Sequence, residues 1–154
     1  MYEEGIELLL GKTIKAIDIY ETDKGDEVYF ICDDESVYEM YHERDCCEYV
    51  CLEDATGNWN DLLDNPILLA EESAETDDDY NEEETLWTFY KLATIKGYVD
   101  LRWCGSSDYY SLEVEVVELS DTFAYEHILK RGKRKGSRTT YTNDEKYIIK
   151  EEIQ

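Results

Sequence analysis

Residues 12–32 read KTIKAIDIYETDKGDEVYFIC, and their pattern decides the fold class. Lys12 to Glu21 alternates, with Ile14, Ala16 and Asp18 on one face and Thr13, Lys15, Ile17 and Ile19 on the other, the period of two that marks a strand. Turn chemistry at Lys24 and Gly25 separates it from a second alternating run, in which Val28, Phe30 and Cys32 oppose Tyr29 and Ile31. Two such runs joined by a short glycine-containing link make a β-hairpin.

Working outward, Asp33, Asp34 and Glu35 supply the next turn, followed by strands near Ser36 to His42 and Cys46 to Glu53. Four consecutive strands predict an antiparallel meander. NWNDLLDNP reads as a helical turn stopped before Pro66, because the residue before proline disfavours the α region. Ile67 to Ala70 is a short apolar strand. The run EESAETDDDYNEEE, Glu71 to Glu84, holds 9 acidic residues in 14 and reads as an exposed loop. Thr85 to Lys96, Tyr98 to Cys104 and Tyr109 to Leu119 continue as a second meander. Within the first of these, Trp87, Phe89, Lys91, Ala93 and Ile95 share one parity and Leu86, Thr88, Tyr90 and Leu92 the other, so periodicity leaves the buried face open.

The ends carry the helical signals. Glu3 to Leu10 suits a short helix stopped by Gly11, residues around Phe123 to Leu129 form a helical piece, and Asn143 is placed to cap a short helix to Ile153. The predicted class is α+β and β-rich, antiparallel meander sheets with short terminal helices. A single acidic domain spans residues 1–129, and a basic C-terminal extension with a short helix spans 130–154.

At 154 residues one compact core is expected, burying about 68–70% of the surface an unfolded chain exposes. The 39 acidic against 15 basic residues give a net charge of −24. It is unevenly spread: residues 1–129 hold 35 against 7, a net of −28, and residues 130–154 hold 4 against 8, a net of +4. Such a field repels nucleic acid and anionic membranes and raises encounter rates with basic surfaces. Solubility alone is the plainer use of the charge. The sequence has no basic n-region, signal peptide or apolar span long enough for a membrane, which predicts a soluble, cytoplasmic protein. Five cysteines, with Cys46 and Cys47 adjacent, predict reduced thiols.

No nucleophile elbow, Cys-x-x-Cys, phosphate loop or His-Glu-x-x-His motif is present, and only His42 and His127 are near-neutral bases. His42 with Cys46, Cys47 and Cys51 has the donor set of a zinc site, set against which is their burial as small hydrophobes. The pairs Asp33/Asp34 and Glu53/Asp54 have acid–base character that the acidic composition alone would produce. Asp54, Asn58, Asn60 and Asp61 are oxygen-rich but lack the calcium-loop alternation. No catalytic residue, cofactor or metal is assigned. The partner-binding candidates lie in the acidic run: Glu71, Glu72, Glu75, Asp77, Asp78, Asp79, Tyr80, Glu82, Glu83 and Glu84. Carboxylates at phosphate-like spacing would compete for a nucleic-acid groove, and Tyr80 suits an interface. Lys130 to Arg138 reads as a flexible basic connection that folds back on the acidic body, or pairs with another copy, rather than binding a polyanion.

HERDCCEYVCLEDATGNWNDLLDNPILLAEE and the later TLWTFYKLATIKGYVDLRWCGSSDYYS resemble an uncharacterised domain family found in phage and prophage genomes, with an H-x-x-D-C-C-E motif at His42, Asp45, Cys46, Cys47 and Glu48. The resemblance covers roughly residues 8–118 and also rests on Glu53, Asp54, Asp61, Leu62, Pro66, Ile67, Glu71, Glu72, Trp87, Phe89 and Trp103. It implies a phage or mobile-element origin, and by analogy an inhibitor of host nucleic-acid-handling or defence proteins. The expected function is therefore an acidic interaction protein, not an enzyme, whose partner is a basic protein surface such as that of a host nuclease. A metalloprotein built on His42 and the cysteines, and a self-assembling structural protein, are the alternatives.

Overall fold

The computed structural model describes residues 5–23, 25–78, 84–107, 110–119 and 136–148. They form β1 (Ile14–Thr22), β2 (Gly25–Cys32), β3 (Val37–Tyr41), β4 (Tyr49–Gly57), β5 (Leu69–Asp78), β6 (Glu84–Thr94), β7 (Gly97–Ser107), β8 (Glu115–Leu119) and β9 (Gly136–Thr142). Helical structure among the described residues is limited to 3-10 turns at Ile6–Leu9, Trp59–Leu62 and Glu145–Tyr147. The β-rich, antiparallel part of the expectation is thus borne out, whereas the α-helical part of the α+β class is not found among the described residues.

One sheet has the order β8-β3-β2-β1-β9 and the other β4-β7-β6-β5. The predicted hairpin is β1–β2, closed where Thr22 pairs with Gly25. The meanders are real only as three-strand runs, β1–β2–β3 and β5–β6–β7. The last strand of each predicted meander changes sheet: β4 pairs with β7, and β8 pairs with β3. The exchange has a physical reason. Each sheet has an apolar face to cover, and crossing between sheets ties the two faces together.

They meet through Ile17, Ile19, Val28, Phe30, Met40 and Val116 on one side and Tyr90, Leu92, Val99, Leu101 and Trp103 on the other. The Trp103 indole N–H donates to the Met40 sulfur at 3.2 Å. Full burial of each large apolar side chain contributes about 1.5–3 kcal/mol. Ile14 belongs to this interior, whereas strict alternation placed it with Ala16 and Asp18. A bulge between Ile14 and Ala16 shifts the register by one residue and turns it inward.

The five-stranded sheet is buried on its other face as well. Ala16, Tyr20, Tyr29, Ile31 and Val37 form a second cluster there with Tyr147, and Asp18, Glu27 and Glu39 lie buried among them. Asp18 accepts from the Arg138 Nε and Nη2 at 3.3 and 3.1 Å and from the Thr140 hydroxyl. The Tyr29 hydroxyl donates to Glu27 at 3.1 Å.

Arg138 and Thr140 come from β9, which pairs with β1 along Ala16–Thr22. Part of the basic stretch expected to be a flexible connection is therefore a strand. Its first residue, Gly136, has φ +156°, and a Cβ there would fall 2.1 Å from the Glu21 carbonyl oxygen, so the close approach requires glycine. The helix expected from Asn143 is reduced, in its described part, to one 3-10 turn. Asp144, not Asn143, caps it by accepting from the Lys146 N–H. Asn143 instead donates to Asp64 at 2.8 Å. The expected helical piece at Phe123–Leu129 lies outside the described residues.

Candidate interaction surface

The acidic run does not form a loop. Glu71 to Asp78 extends β5, the edge strand of the four-stranded sheet, and Glu84 opens β6 opposite Asp78. An edge strand with solvent on both faces has no interior to charge, so carboxylates that would break a central strand are tolerated here. Every residue from Glu71 to Asp77 is exposed. The structure brings Glu71, Glu72, Glu75, Asp77, Asp78 and Glu84 into one ribbon, while Asp79, Tyr80, Glu82 and Glu83 lie outside the described residues.

Pairing along β5–β6–β7–β4 arranges the outer face of this sheet in rows. Glu71 faces Lys91, then Asp100 and Thr56. Ser73 faces Phe89, then Arg102 and Asp54. Glu75 faces Trp87, then Cys104 and Cys51. The ambiguous parity of β6 is settled: Thr88, Tyr90 and Leu92 are buried in the interior, while Trp87 and Phe89 stay half-buried on the outer face. Arg102 lies 5.1 Å from the Trp87 ring centre and pairs with Asp54. Lys91 lies 4.9 Å from the Tyr98 ring centre. The cations are thus held at the centre of the face. On the edge strand, Glu72, Glu75 and Asp77 make no ion pair among the described residues.

Sequence reasoning missed this aromatic and cationic centre. A signal existed: Lys91 shares the parity of Trp87 and Phe89, and a charged residue seldom points inward.

The structure does not bring His42, Cys46, Cys47 and Cys51 together. Glu48, with its side chain wholly enclosed, accepts from the Asp45 and Cys46 N–H groups at 3.1 and 2.9 Å and lies 3.1 Å from the His42 Nε2. The other ring nitrogen is 2.7 Å from the Glu113 carbonyl oxygen. The ring thus bridges this turn to residue 113 through both of its nitrogens. Burial opposes ionisation of Glu48, but the backbone donors and His42 outweigh it and hold its carboxyl at about 2.

Cys46 and Cys47 sit exposed in this turn and are bonded to each other, correcting the expectation of buried, reduced thiols. They precede β4, so strand alternation does not separate them. Cys51 lies in β4 opposite Cys104. Burial, reinforced by Asp26 and Glu53, pushes its thiol up to about 12, which leaves little thiolate at neutral pH.

The other candidates have structural partners. Asp34 pairs with Lys12 at 2.6 Å and accepts from the Ser36 N–H, which holds its carboxyl at about 2. Asp54 pairs with Arg102 beside a bulge in β4 that includes Glu53. Asn58 caps the turn Trp59–Leu62 by accepting from the Asn60 N–H. Among the described residues no group of three or more His, Cys, Asp or Glu is placed to hold a metal ion. His127 lies outside them. No described helix is long and apolar enough to cross a membrane.

Comparison with known families gives one assignment. Residues 7–116 match the family described as a domain of unknown function, DUF7448, and the chain belongs to that family. Neither the curated proteins nor the solved structures provide a match. The family match includes β1 to β7 and ends within β8, so β9 lies beyond it.

Proposed function

We propose that this DUF7448 chain is an acidic interaction protein of phage or mobile-element type, which inhibits a host defence or nucleic-acid-binding protein by occupying its basic surface. The observation that carries the proposal is β5, an exposed edge strand with five acidic residues among ten, beside a face centred on Trp87, Phe89 and Arg102. A net charge of −24 steers encounter with a basic partner. Aromatic and arginine side chains then supply the kind of contact that dominates binding energy. The phage assignment rests on the H-x-x-D-C-C-E resemblance.

Charge spacing refines the idea of nucleic-acid mimicry. From Glu71 to Asp78 the strand extends about 23 Å at about 3.3 Å per residue. Its five acidic residues give one charge per roughly 5 Å, against about 1.7 Å of axis in duplex DNA. β5 is sparser than a duplex, so it would displace nucleic acid by filling a basic groove rather than by copying the phosphate pattern.

Affinity capture from host lysate, repeated with Glu71→Gln, Glu72→Gln, Glu75→Gln and Asp77→Asn combined, tests the reading. The expected result is a basic nucleic-acid-binding protein retained by the wild type, released by salt or competing duplex DNA, and lost by the variant. Retention of the same protein by the variant would overturn the role given to β5.

A further inference from the structure

β4 is an edge strand of the four-stranded sheet, paired with β7 alone. Along that pair Cys51 faces Cys104 directly. Val50 and Trp103 belong to the core, so by alternation both cysteines project from the outer face. Each is half-buried, and neither is disulfide-bonded. Trp87 is the next residue of the same row on β6, which places the two thiols at the border of the aromatic centre.

Facing residues of an antiparallel pair have Cα atoms about 4.5 or 5.5 Å apart, according to whether they exchange hydrogen bonds. A disulfide spans about 4.4–6.8 Å between Cα atoms, so either kind of pair suits the bond. A bulge between Leu52 and Asp54 bends β4 just beyond Cys51, and no described strand on the far side of β4 resists a small adjustment. The remaining cysteines are differently placed: Cys32 is enclosed in the core, and Cys46 is bonded to Cys47.

Burial raises the pKa of both thiols. Asp26 and Glu53 raise that of Cys51 further, whereas at Cys104 the added effect of Glu53 is opposed by Arg102. Cys104 is therefore the thiol with a cation beside its developing charge. Dithiols of low pKa make strongly oxidising disulfides, because ionisation stabilises their reduced form. The carboxylates around Cys51 deny this pair that stabilisation, so its disulfide resists reduction and forms faster as pH rises.

We infer that Cys51 and Cys104 are a redox modification site, a dithiol that the disulfide of a small thiol converts reversibly into a cross-strand bond clamping β4 to β7. The Cys104 thiolate attacks one sulfur of the small disulfide, forming a mixed disulfide and releasing one small thiolate. Cys51, deprotonated in turn, attacks the Cys104 sulfur, and the second small thiolate leaves. The two cysteine protons pass through solvent to the released thiolates. The cysteine pair is oxidised by two electrons, and the small disulfide is reduced to two thiols. The loop so closed runs from β4 through β5 and β6 into β7. The site stands apart from the proposed interaction, which requires neither thiol.

The test uses the full chain, reduced and then equilibrated at about pH 8.5, the ordinary thiol pKa, with hydroxyethyl disulfide. This reagent is neutral, so the net charge of −24 does not repel it. Peptide mapping without reduction should find Cys51 linked to Cys104, and dithiothreitol should undo the link. Cys51→Ser should instead trap the mixed disulfide on Cys104. In a chain carrying Cys46→Ser and Cys47→Ser, oxidation should raise the melting temperature by about 5–15 °C, the scale of one disulfide closing a long loop. Adding Cys104→Ser should abolish that rise.

Both thiols still open to alkylation after equilibration would overturn the inference. So would either cysteine carrying only the small thiol in the wild type, or linked to Cys46, Cys47 or a second chain in place of its facing partner. A melting temperature that oxidation leaves unchanged would remove the clamp.

Discussion

The two sheets use acidic residues in opposite ways. In the five-stranded sheet, β2 is buried over seven of its eight residues, and Asp18, Glu27 and Glu39 are enclosed with it. In the four-stranded sheet, β6 and β7 alternate buried with more exposed positions, and β5 exposes each described side chain from Glu71 to Asp77. A carboxylate in the first sheet is fixed by hydrogen bonds and costs stability if its partner is lost. A carboxylate on β5 is solvated and available. Composition reports only that both are acidic.

The largest effect should follow from breaking the enclosed arrangement. Arg138→Ala leaves Asp18 without its ion pair in a site with no exposure, and should destabilise the fold by about 3–5 kcal/mol. Urea denaturation followed by tryptophan fluorescence measures it. A loss below about 1 kcal/mol, the range of surface pairs, would mean that this face behaves like the open one.

Next comes the turn that carries the chain between the sheets. Glu48→Gln should cost about 1.5–3 kcal/mol, as expected for hydrogen bonds to a charged acceptor. Its folded carboxyl lies at about 2, below the ordinary 4.5. Its stabilisation is therefore complete above about 4.5 and is lost as pH falls from there towards 2. Melting curves across that window should fall more steeply for the wild type than for the variant.

Asp26 works in the other direction. Burial is the chief cause that lifts its carboxyl to about 6, although its Oδ2 accepts from the Leu52 N–H across the two sheets at 2.8 Å. The folded state binds this proton more tightly than the unfolded state, so stability from this group rises as pH falls from about 6 towards 3.8. Asp26→Asn should raise stability at pH 7 by about 1–2 kcal/mol and remove that rise, because it spares a buried charge while keeping an acceptor. A variant with an unchanged pH profile would place the titration elsewhere.

The smallest effect belongs to β5. Combined Glu71→Gln, Glu75→Gln and Asp77→Asn should alter unfolding free energy by no more than about 0.5 kcal/mol, as surface substitutions do. A larger loss would show that the exposed carboxylates support the sheet, and the contrast between the sheets would fail.

Much of the framework was legible because it alternates. The hairpin of β1 and β2, the strands β3, β6 and β7, and the turn before Pro66 all follow from period and turn chemistry. β5 was hidden because Asp and Glu are poor strand formers by composition, and only its edge position makes them harmless. β9 was hidden by its basic neighbours, although Thr139, Thr140, Tyr141 and Thr142 are good strand formers. Sheet membership had no local signal at all, since β4 and β8 resemble the strands they follow and are assigned by which apolar face they cover. The candidate site was legible as charge. Its aromatic centre depends on the register of β6 against β7, which sets Phe89 beside Arg102, and on the distant strand β4, which brings Asp54 to Arg102.

The pairing of β9 with β1 also sets an order of events during synthesis. Asp18 and Arg138 are 120 residues apart, and a ribosome adding about 5–20 residues per second needs roughly 6–24 s to make the interval. Throughout that time the nascent sheet lacks its closing strand, and the carboxylate that ends up enclosed has yet to meet its cation. β9 is thus made long after the strand whose carboxylate it encloses, and a chaperone that shields β1 in that interval would cover the face that holds Asp18.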